Sequence, residues 1–411
     1  MAALASVLAG VGAISEKTAL GVVGGFEAAL AARSRIDPEA MLRFPGHWMQ
    51  RSARPRPASS GPPRAHPVGL FASGEVDGVP VRFYLGVLVM DQGNVTLTMQ
   101  ARFPAESIER DHRHAHPMFE ALGEVSAVDD RGGTYRAHFS GGGGDGKWDG
   151  RLHITPAPPS GVRWLDMTLP GAPVVRIPMD TSPADLPVTT EVVTTTAADR
   201  LLDAQTAQVM LASAGDAETL LADADTFSSF GVAADLLAAG VLAAGSESLR
   251  RVAGAAAHFG VPLPGPLAAI EPASLPADWL SLPARAERHD GPTGIIALAA
   301  VLPEVDGAQC VIGELASEAD SATMQVHARG WPEPRYQRGL CLDRYDWTAR
   351  DDLGGWYILG HAGWGYSDGE ADLELQFTPA LDPAARSLNI ILTGPTTRLT
   401  VSVPLDWQEF A

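Results

Sequence analysis

The chain repeats itself once, and that repetition limits what it can fold into more than any other feature. Residues 289–407 restate 67–180. Glu75-Val76-Asp77-Gly78 recurs as Glu304-Val305-Asp306-Gly307, and Thr98-Met99-Gln100 as Thr323-Met324-Gln325. Asp129-Asp130-Arg131-Gly132-Gly133-Thr134-Tyr135 returns as Asp351-Asp352-Leu353-Gly354-Gly355-Trp356-Tyr357. Thr155-Pro156 then matches Thr378-Pro379, and Pro178-Met179-Asp180 matches Pro404-Leu405-Asp406. The offsets run 229, 225, 222, 223 and 226, so the order holds and the register drifts only by loop-sized steps. Two copies at so long a period make no solenoid, so each copy must close a core of its own. A length of 411 residues independently asks for two or three domains.

Inside each copy the apolar residues alternate in short runs broken by Gly and Pro. In the first copy, 81–90 and 95–103 read as strands joined by the turn Asp91-Gln92-Gly93-Asn94. Further strands are expected at 122–128, 133–139, 150–156, 162–169 and 173–179. Seven or eight such strands predict an immunoglobulin-like β-sandwich. In the repeated Asp-Asp-x-Gly-Gly-x-Tyr, Asp caps a tight turn, Gly supplies positive φ and Tyr returns to the sheet. Calcium is the competing use of the paired carboxylates, but it wants six to eight oxygen ligands and no further acids cluster there. Pro178 and Pro404 suit a last strand, where no ladder N–H is needed. The Gly-rich stretches 141–146 and 360–369 read as loops at the sandwich edge, where function would sit.

Between the copies the pattern changes. Residues 196–259 are rich in Ala and Leu, with Leu201, Ala204, Ala207 and Leu211 on one helical face and Asp216 and Ser246 as N-caps. The predicted class is mainly β with α segments: two duplicated immunoglobulin-like β-sandwich modules separated by a helical segment, plus N-terminal helices. The boundaries are an N-terminal helical segment at 1–50 and a Pro/Arg/Ser linker at 51–66. The first module spans 67–190, a helical connector with a Pro-rich end 191–288, and the second module 289–411.

Asp-Asp-x-Gly-Gly-x-Tyr, a Gly-rich loop, the run from Phe377-Thr378-Pro379-Ala380 to Arg386, and a closing Val403-Pro404-Leu405-Asp406-Trp407 carry a likeness to known sequences. Over about 350–407, and more loosely in the first copy, the chain resembles a family of uncharacterised β-sandwich proteins common in high-GC Gram-positive bacteria. The resemblance implies the fold and brings no assigned activity and no catalytic residues.

Charge excludes some partners. With 49 acidic against 30 basic residues the chain carries -19, which opposes nucleic-acid phosphates and anionic membrane surfaces alike. Lys17 and Lys147 are the sole lysines, and neither lies in a Schiff-base or phosphate-loop motif. Two cysteines, Cys310 and Cys341, make no disulfide framework or zinc ribbon and read as buried thiols in a reducing compartment, with a single cross-sheet disulfide as the alternative. The N-terminus lacks the basic start of a secretory signal, and Glu16, Lys17 and Glu27 interrupt its apolar run. Residues 2–32 read as one or two amphipathic helices, and a cytoplasmic protein without a membrane span is expected.

Three groups of residues carry candidate chemistry. In Asp111-His112-Arg113-His114-Ala115-His116 alternate positions place His112, His114 and His116 on one face of a strand, enough for one divalent metal with an open position. The same run also reads as a solvated polar loop. Gly365-Tyr366-Ser367-Asp368-Gly369 has the spacing of a nucleophile elbow but is followed by a strand where that device needs a helix. Gly21-Val22-Val23-Gly24-Gly25 follows no strand, as a dinucleotide site requires, and Asp223-Ala224-Asp225 lacks the later ligands of a calcium loop. Trp356, Tyr357, Trp364 and Tyr366 group around the second hairpin, as packing aromatics or as a face for sugars or a protein partner. The leading expectation is a non-catalytic interaction or scaffold protein, with a protein partner or self-association and no cofactor. The alternatives are a metal-dependent hydrolase using the three histidines, and a carbohydrate-binding protein.

Overall fold

Eight strands of the first copy hydrogen-bond into one antiparallel sheet. They are β1 (Arg64–Val76), β2 (Val79–Asp91), β3 (Asn94–Arg102), β4 (Ser126–Asp129), β5 (Thr134–Gly144), β6 (Lys147–Thr155), β7 (Trp164–Thr168) and β8 (Val175–Pro178). Their spatial order is β1-β2-β3-β6-β5-β4-β7-β8. The computed structural model describes residues 63–103, 125–212 and 228–408, with short breaks at 77, 92, 145–146, 181, 183–184, 264, 287–289, 332–335, 338–339, 342–344 and 368–369. The expected N-terminal helices, the linker up to residue 62, Asp216 and the 112–116 histidine run lie outside the described residues.

β9 (Val188–Val192) follows the first module in sequence but joins the other sheet, pairing with its last strand. That sheet contains β10 (Gly294–Val301), β11 (Gln309–Glu318), β12 (Ser321–Arg329), β15 (Asp346–Asp351), β16 (Trp356–Ser367), β17 (Glu370–Thr378), β18 (Ser387–Thr393) and β19 (Thr397–Pro404). A separate two-strand ribbon, β13 (Tyr336–Gln337) with β14 (Leu340–Cys341), lies between β12 and β15 in sequence. The order β10-β11-β12-β17-β16-β15-β18-β19-β9 reproduces the first sheet strand for strand and adds β9. The duplication read from the sequence is therefore a duplication of topology. The matched Thr155-Pro156 and Thr378-Pro379 bonds are both cis. The fold is mainly β, in two modules with helices between. Each module's strands form one antiparallel sheet around its own buried core, in keeping with two β-sandwich-like modules.

Hydrogen-bond register refines the equivalences. Both β2 and β11 carry a bulge against their neighbour, between Leu85 and Leu88 and between Ile312 and Leu315, which sets the offset there at 227. Thr98 thus corresponds to Gln325, and the Thr-Met-Gln match of the sequence is two residues out of structural register. A slip of two keeps every side chain on its face, so the pattern survived it. Alternate residues enter the cores: Phe83, Leu85, Leu97, Met99, Leu152 and Leu165 in the first, and Ile312, Met324, Val326, Leu375, Phe377 and Leu388 in the second, all buried.

The repeated Asp-Asp-x-Gly-Gly-x-Tyr is turn chemistry in both modules. Asp129 accepts the N–H groups of Arg131 (2.9 Å) and Gly133 (2.7 Å) and the hydroxyl of Tyr135 (2.5 Å). Asp351 accepts Leu353 N–H (3.0 Å), Gly355 N–H (2.5 Å) and the Tyr357 hydroxyl (2.5 Å). Gly132 and Gly354 hold φ of 83° and 85°, the left-handed conformation such a turn needs. Each carboxylate thus takes three donors of its own turn, two on Oδ1 and one on Oδ2.

Between the modules run α1 (Ala197–Ala212), α2 (Ser228–Ala238), α3 (Glu247–Phe259), a 3-10 turn (Gly265–Ala269) and α4 (Ala277–Ala286). Ala207, Met210, Ala255, Trp279 and Leu282 pack on Ile358 of β16, with Trp356 beside them, so the helices dock on the second module. Arg200 on α1 reaches Asp346 of β15 at 3.2 Å. Ser246 stands at the N-cap of α3, as expected, but does not cap it. Its hydroxyl is turned to Asp199 at 2.8 Å, which also accepts Ser248 at 2.6 Å. Among the described residues no helix is long and apolar enough to cross a membrane.

Candidate functional site

Because side chains alternate along a strand, each sheet has an outer face, and the outer faces of the two modules meet. β1 and β2 pack against β10 and β11 through Ala65, Val87, Val89, Ala299 and Val311, an apolar end of the seam. Beyond it the rows turn polar. The contact there has the isologous form of a twofold axis, in which residue i meets j and the equivalent of j meets the equivalent of i. Arg102 on β3 pairs with Glu318 at 3.1 Å, and its equivalent Arg329 on β12 pairs with Asp91, the equivalent of Glu318, at 3.0 Å.

Glu314 breaks this symmetry. It occupies the position matched by Val87 and is 3% exposed. A bulge in β2 leaves Gly86 facing it, with no side chain to obstruct the carboxylate. Val87 N–H donates to Thr98 Oγ1 at 2.7 Å, which forces the threonine proton onward to Glu314 Oε2 at 2.9 Å. Gln100 Nε2 donates to the other oxygen at 3.0 Å. Burial pushes the Glu314 carboxyl up to about 7, against the pull of these two donors and of Arg151 and with a further push from Asp149. Tyr84, wholly buried nearby, is raised by burial and then by the Glu314 charge.

The amide orientation of Gln100 has a consequence. Its nitrogen must face Glu314, so Oε1 points elsewhere, and this atom is buried with no donor among the described residues. Gln100 itself is 7% exposed. Directly across the strand pair lies Asp149 of β6, which is exposed, and Asp149 in turn pairs with Gly142 of β5. Among the described residues nothing lies within 4 Å of a β-carbon built on Gly142. Asp149 is raised by removal of water, with Glu318 adding to the shift and Arg102 and Lys147 opposing it.

Opposite, β17 brings Asp372 and Glu374 to the seam. Arg151 of β6 pairs with Asp372, and His327 Nδ1 meets the same carboxylate at 2.8 Å. Burial lowers the Arg151 guanidinium to about 10, which leaves it charged at neutral pH. Glu374 is raised by burial and then by Asp149, and its bond from Gln325 opposes the shift. Lys147 clasps Glu318 through both oxygens at 2.5 Å.

The residues singled out from the sequence fare differently. His112, His114 and His116 lie outside the described residues. Among the described residues no group of three or more His, Cys, Asp or Glu is placed to hold a metal ion. Tyr357 is completely buried in the second core, and Trp356 is half-buried against the helices. Trp364 and Tyr366 pair along β16 with Leu373 and Ala371 of β17. Gly141–Gly144 and 360–367 are not edge loops: they are parts of β5 and β16, laid beside the acidic strands β6 and β17. Cys310 is a free, buried thiol pushed up to about 12 by burial. Sequence reasoning missed Glu314, although an acid replacing Val87 within the matched Leu-Gly-x-Leu and Ile-Gly-x-Leu runs was a readable signal.

No family model matches the sequence, and neither does any curated protein. Among solved structures, the conserved domain protein from Bacillus anthracis aligns with 80% of this chain and 77% of its own at 10% identity. Its TM-score is 0.17, a likeness that supports no argument about fold or function.

Proposed function

We propose that the protein is a non-catalytic binding protein and that the seam between its modules takes a small ligand bearing hydrogen-bond donors. The observation that carries this reading is Gln100 Oε1, a buried acceptor with no donor among the described residues. It lies beside the exposed Asp149, near Gly142, above which no described residue stands. A buried acceptor left alone costs about 1–3 kcal/mol, and a ligand supplying the donor recovers it. Glu314 has the near-neutral titration of a general acid or base. Both its oxygens are engaged by Thr98 and Gln100, however, and its burial keeps it from a substrate, which favours binding over catalysis. The free Cys310 thiol supports a reducing, cytoplasmic setting.

Thermal unfolding of the full chain against small amines, polyols and carboxylic acids tests the reading. Stabilisation by one class, reduced in Gln100→Leu, supports it; indifference to the whole panel sinks it.

A protein partner is the second reading, favoured by β9. This strand is the edge of the second sheet, its residues 189–192 are exposed, and Val192 is 83% exposed. Edge strands of this kind accept an extended segment by strand addition. Val192→Lys is expected to abolish any partner captured this way, and a partner retained by the variant rules it out.

A further inference from the structure

The twofold relation between the modules fixes which charges should face one another, and it fails at one pair. Arg102–Glu318 and Arg329–Asp91 repeat each other, cation for cation and acid for acid. Arg151–Asp372 has no such mate. β6 and β17 correspond at an offset of 223, through Thr155 and Thr378 at their ends, so the equivalent of Asp372 is Asp149 and that of Arg151 is Glu374. Where one side of the axis has an ion pair, the other has two carboxylates. Burial and then the Asp149 charge raise Glu374, in keeping with two acids set opposite each other by the twofold relation. Neither has an ion-pair partner within 4 Å among the described residues.

Other charges do not repair the pair. Arg102 on β3 and Lys147 on β6 draw Asp149, but both are committed to Glu318. Arg151 is held by Asp372, and Glu314 and Glu318 on β11 add negative charge. The buried Gln100 Oε1, a second and independent feature, adds an acceptor next to Asp149. All three groups accept and none donates.

We propose that a small organic cation binds here, its ammonium group between Asp149 and Glu374 in the place that the Arg151 guanidinium takes beside Asp372, with Gln100 Oε1 accepting one of its protons. The inference rests on the seam being a binding site and adds the ligand's class. A compact metal ion would need the acids gathered closer than they are, since no three described ligands converge. Binding a cation favours both carboxylates ionised. Protons are therefore released on binding, and affinity rises with pH through the range in which the pair titrates, above that of ordinary carboxylates.

Calorimetry on the full chain tests this, with methylammonium, choline and putrescine as cations, 1,4-butanediol as a neutral probe and succinate as an anion. At least one cation is expected to bind, more tightly at about pH 8 than at about pH 5, and to weaken about tenfold or more in Asp149→Asn and Glu374→Gln. Glu374→Arg restores the missing ion pair, so it is expected to abolish cation binding while raising the unfolding temperature. Butanediol binding as well as the cations overturns the cation proposal and leaves the seam as a binding site. Preference for succinate, or full cation binding in Glu374→Arg, overturns it likewise. No binding by any probe overturns both readings.

Discussion

Gly86 lies against the Glu314 carboxylate so closely that a β-carbon on it would overlap Oε2 and crowd Thr98 Oγ1. The glycine of one module is thus shaped by the acid of the other. Gly86→Ala must displace either the acid or the bulge, at a cost of about 1–3 kcal/mol. Urea denaturation checks this, and a change within about 0.5 kcal/mol, as at an ordinary surface position, contradicts it.

Stability should fall with rising pH on account of Glu314. Its folded value of about 7 exceeds the ordinary 4.5, so between these limits the native state holds the proton more firmly than the unfolded chain. The stabilisation is full below 4.5 and is lost as pH rises through about 7. Asp149, Glu374 and Asp203 shift in the same direction. Depressed acids such as Asp129 and Asp352 act on the other side, losing their contribution only as pH falls through their lowered values. Unfolding free energy measured across this window should decline by about 3 kcal/mol more in the wild type than in Glu314→Gln. Parallel curves would remove Glu314 as the cause.

Thr98→Val keeps shape but removes the hydroxyl that Val87 N–H donates to and that donates to Glu314. Two buried groups lose a partner, so a loss of about 2–4 kcal/mol is expected, and the Glu314 carboxyl should titrate higher still. Carboxyl-carbon NMR titration reads the second effect; an unmoved resonance would contradict the relay.

Tyr135 and Tyr357 make the same bond to Asp129 and Asp351, but Tyr357 also accepts the Asp382 N–H at 3.1 Å. Each Tyr→Phe change should cost about 1–3 kcal/mol, with Tyr357 the costlier. Chemical denaturation ranks them, and the reverse order would show that the extra bond contributes nothing.

Arg285 on α4 donates to the Trp356 carbonyl at 2.6 Å, and its guanidinium lies 4.4 Å from the Tyr357 ring centre. Arg285→Ala should loosen the helices from the second module. Hydrogen exchange would quicken in 277–286 and stay unchanged in the first module; uniform quickening of both would point to global destabilisation instead.

The sequence made the modules legible because their cores follow a period of two and their turns use residues with few substitutes. Asp129, Gly132 and Tyr135 are each required by one turn, so their return as Asp351, Gly354 and Tyr357 marked the repeat. The crossing of β9 was hidden, because Val188–Val192 carries nothing that says which sheet it extends. Glycines 141–144 misled for a related reason: Gly usually breaks strands, and here a ladder with Asp149 and Trp148 holds it in one. The seam was least legible. Pairing Arg102 with Glu318, or Gln100 with Glu314, takes the register of four strands and the packing of two sheets, none of which is local in the chain.

When two separate chains meet about a twofold axis, every mutation is made twice. An acid at the Glu314 position would arrive with its image at position 87, and the contact would have to bury both. Joined in one polypeptide, the halves need not match, so Val87 is apolar where Glu314 is acidic, and Arg151 is basic where Glu374 is acidic. Linkage within one chain makes a nearly self-complementary contact a directional one, with a distinguishable left and right.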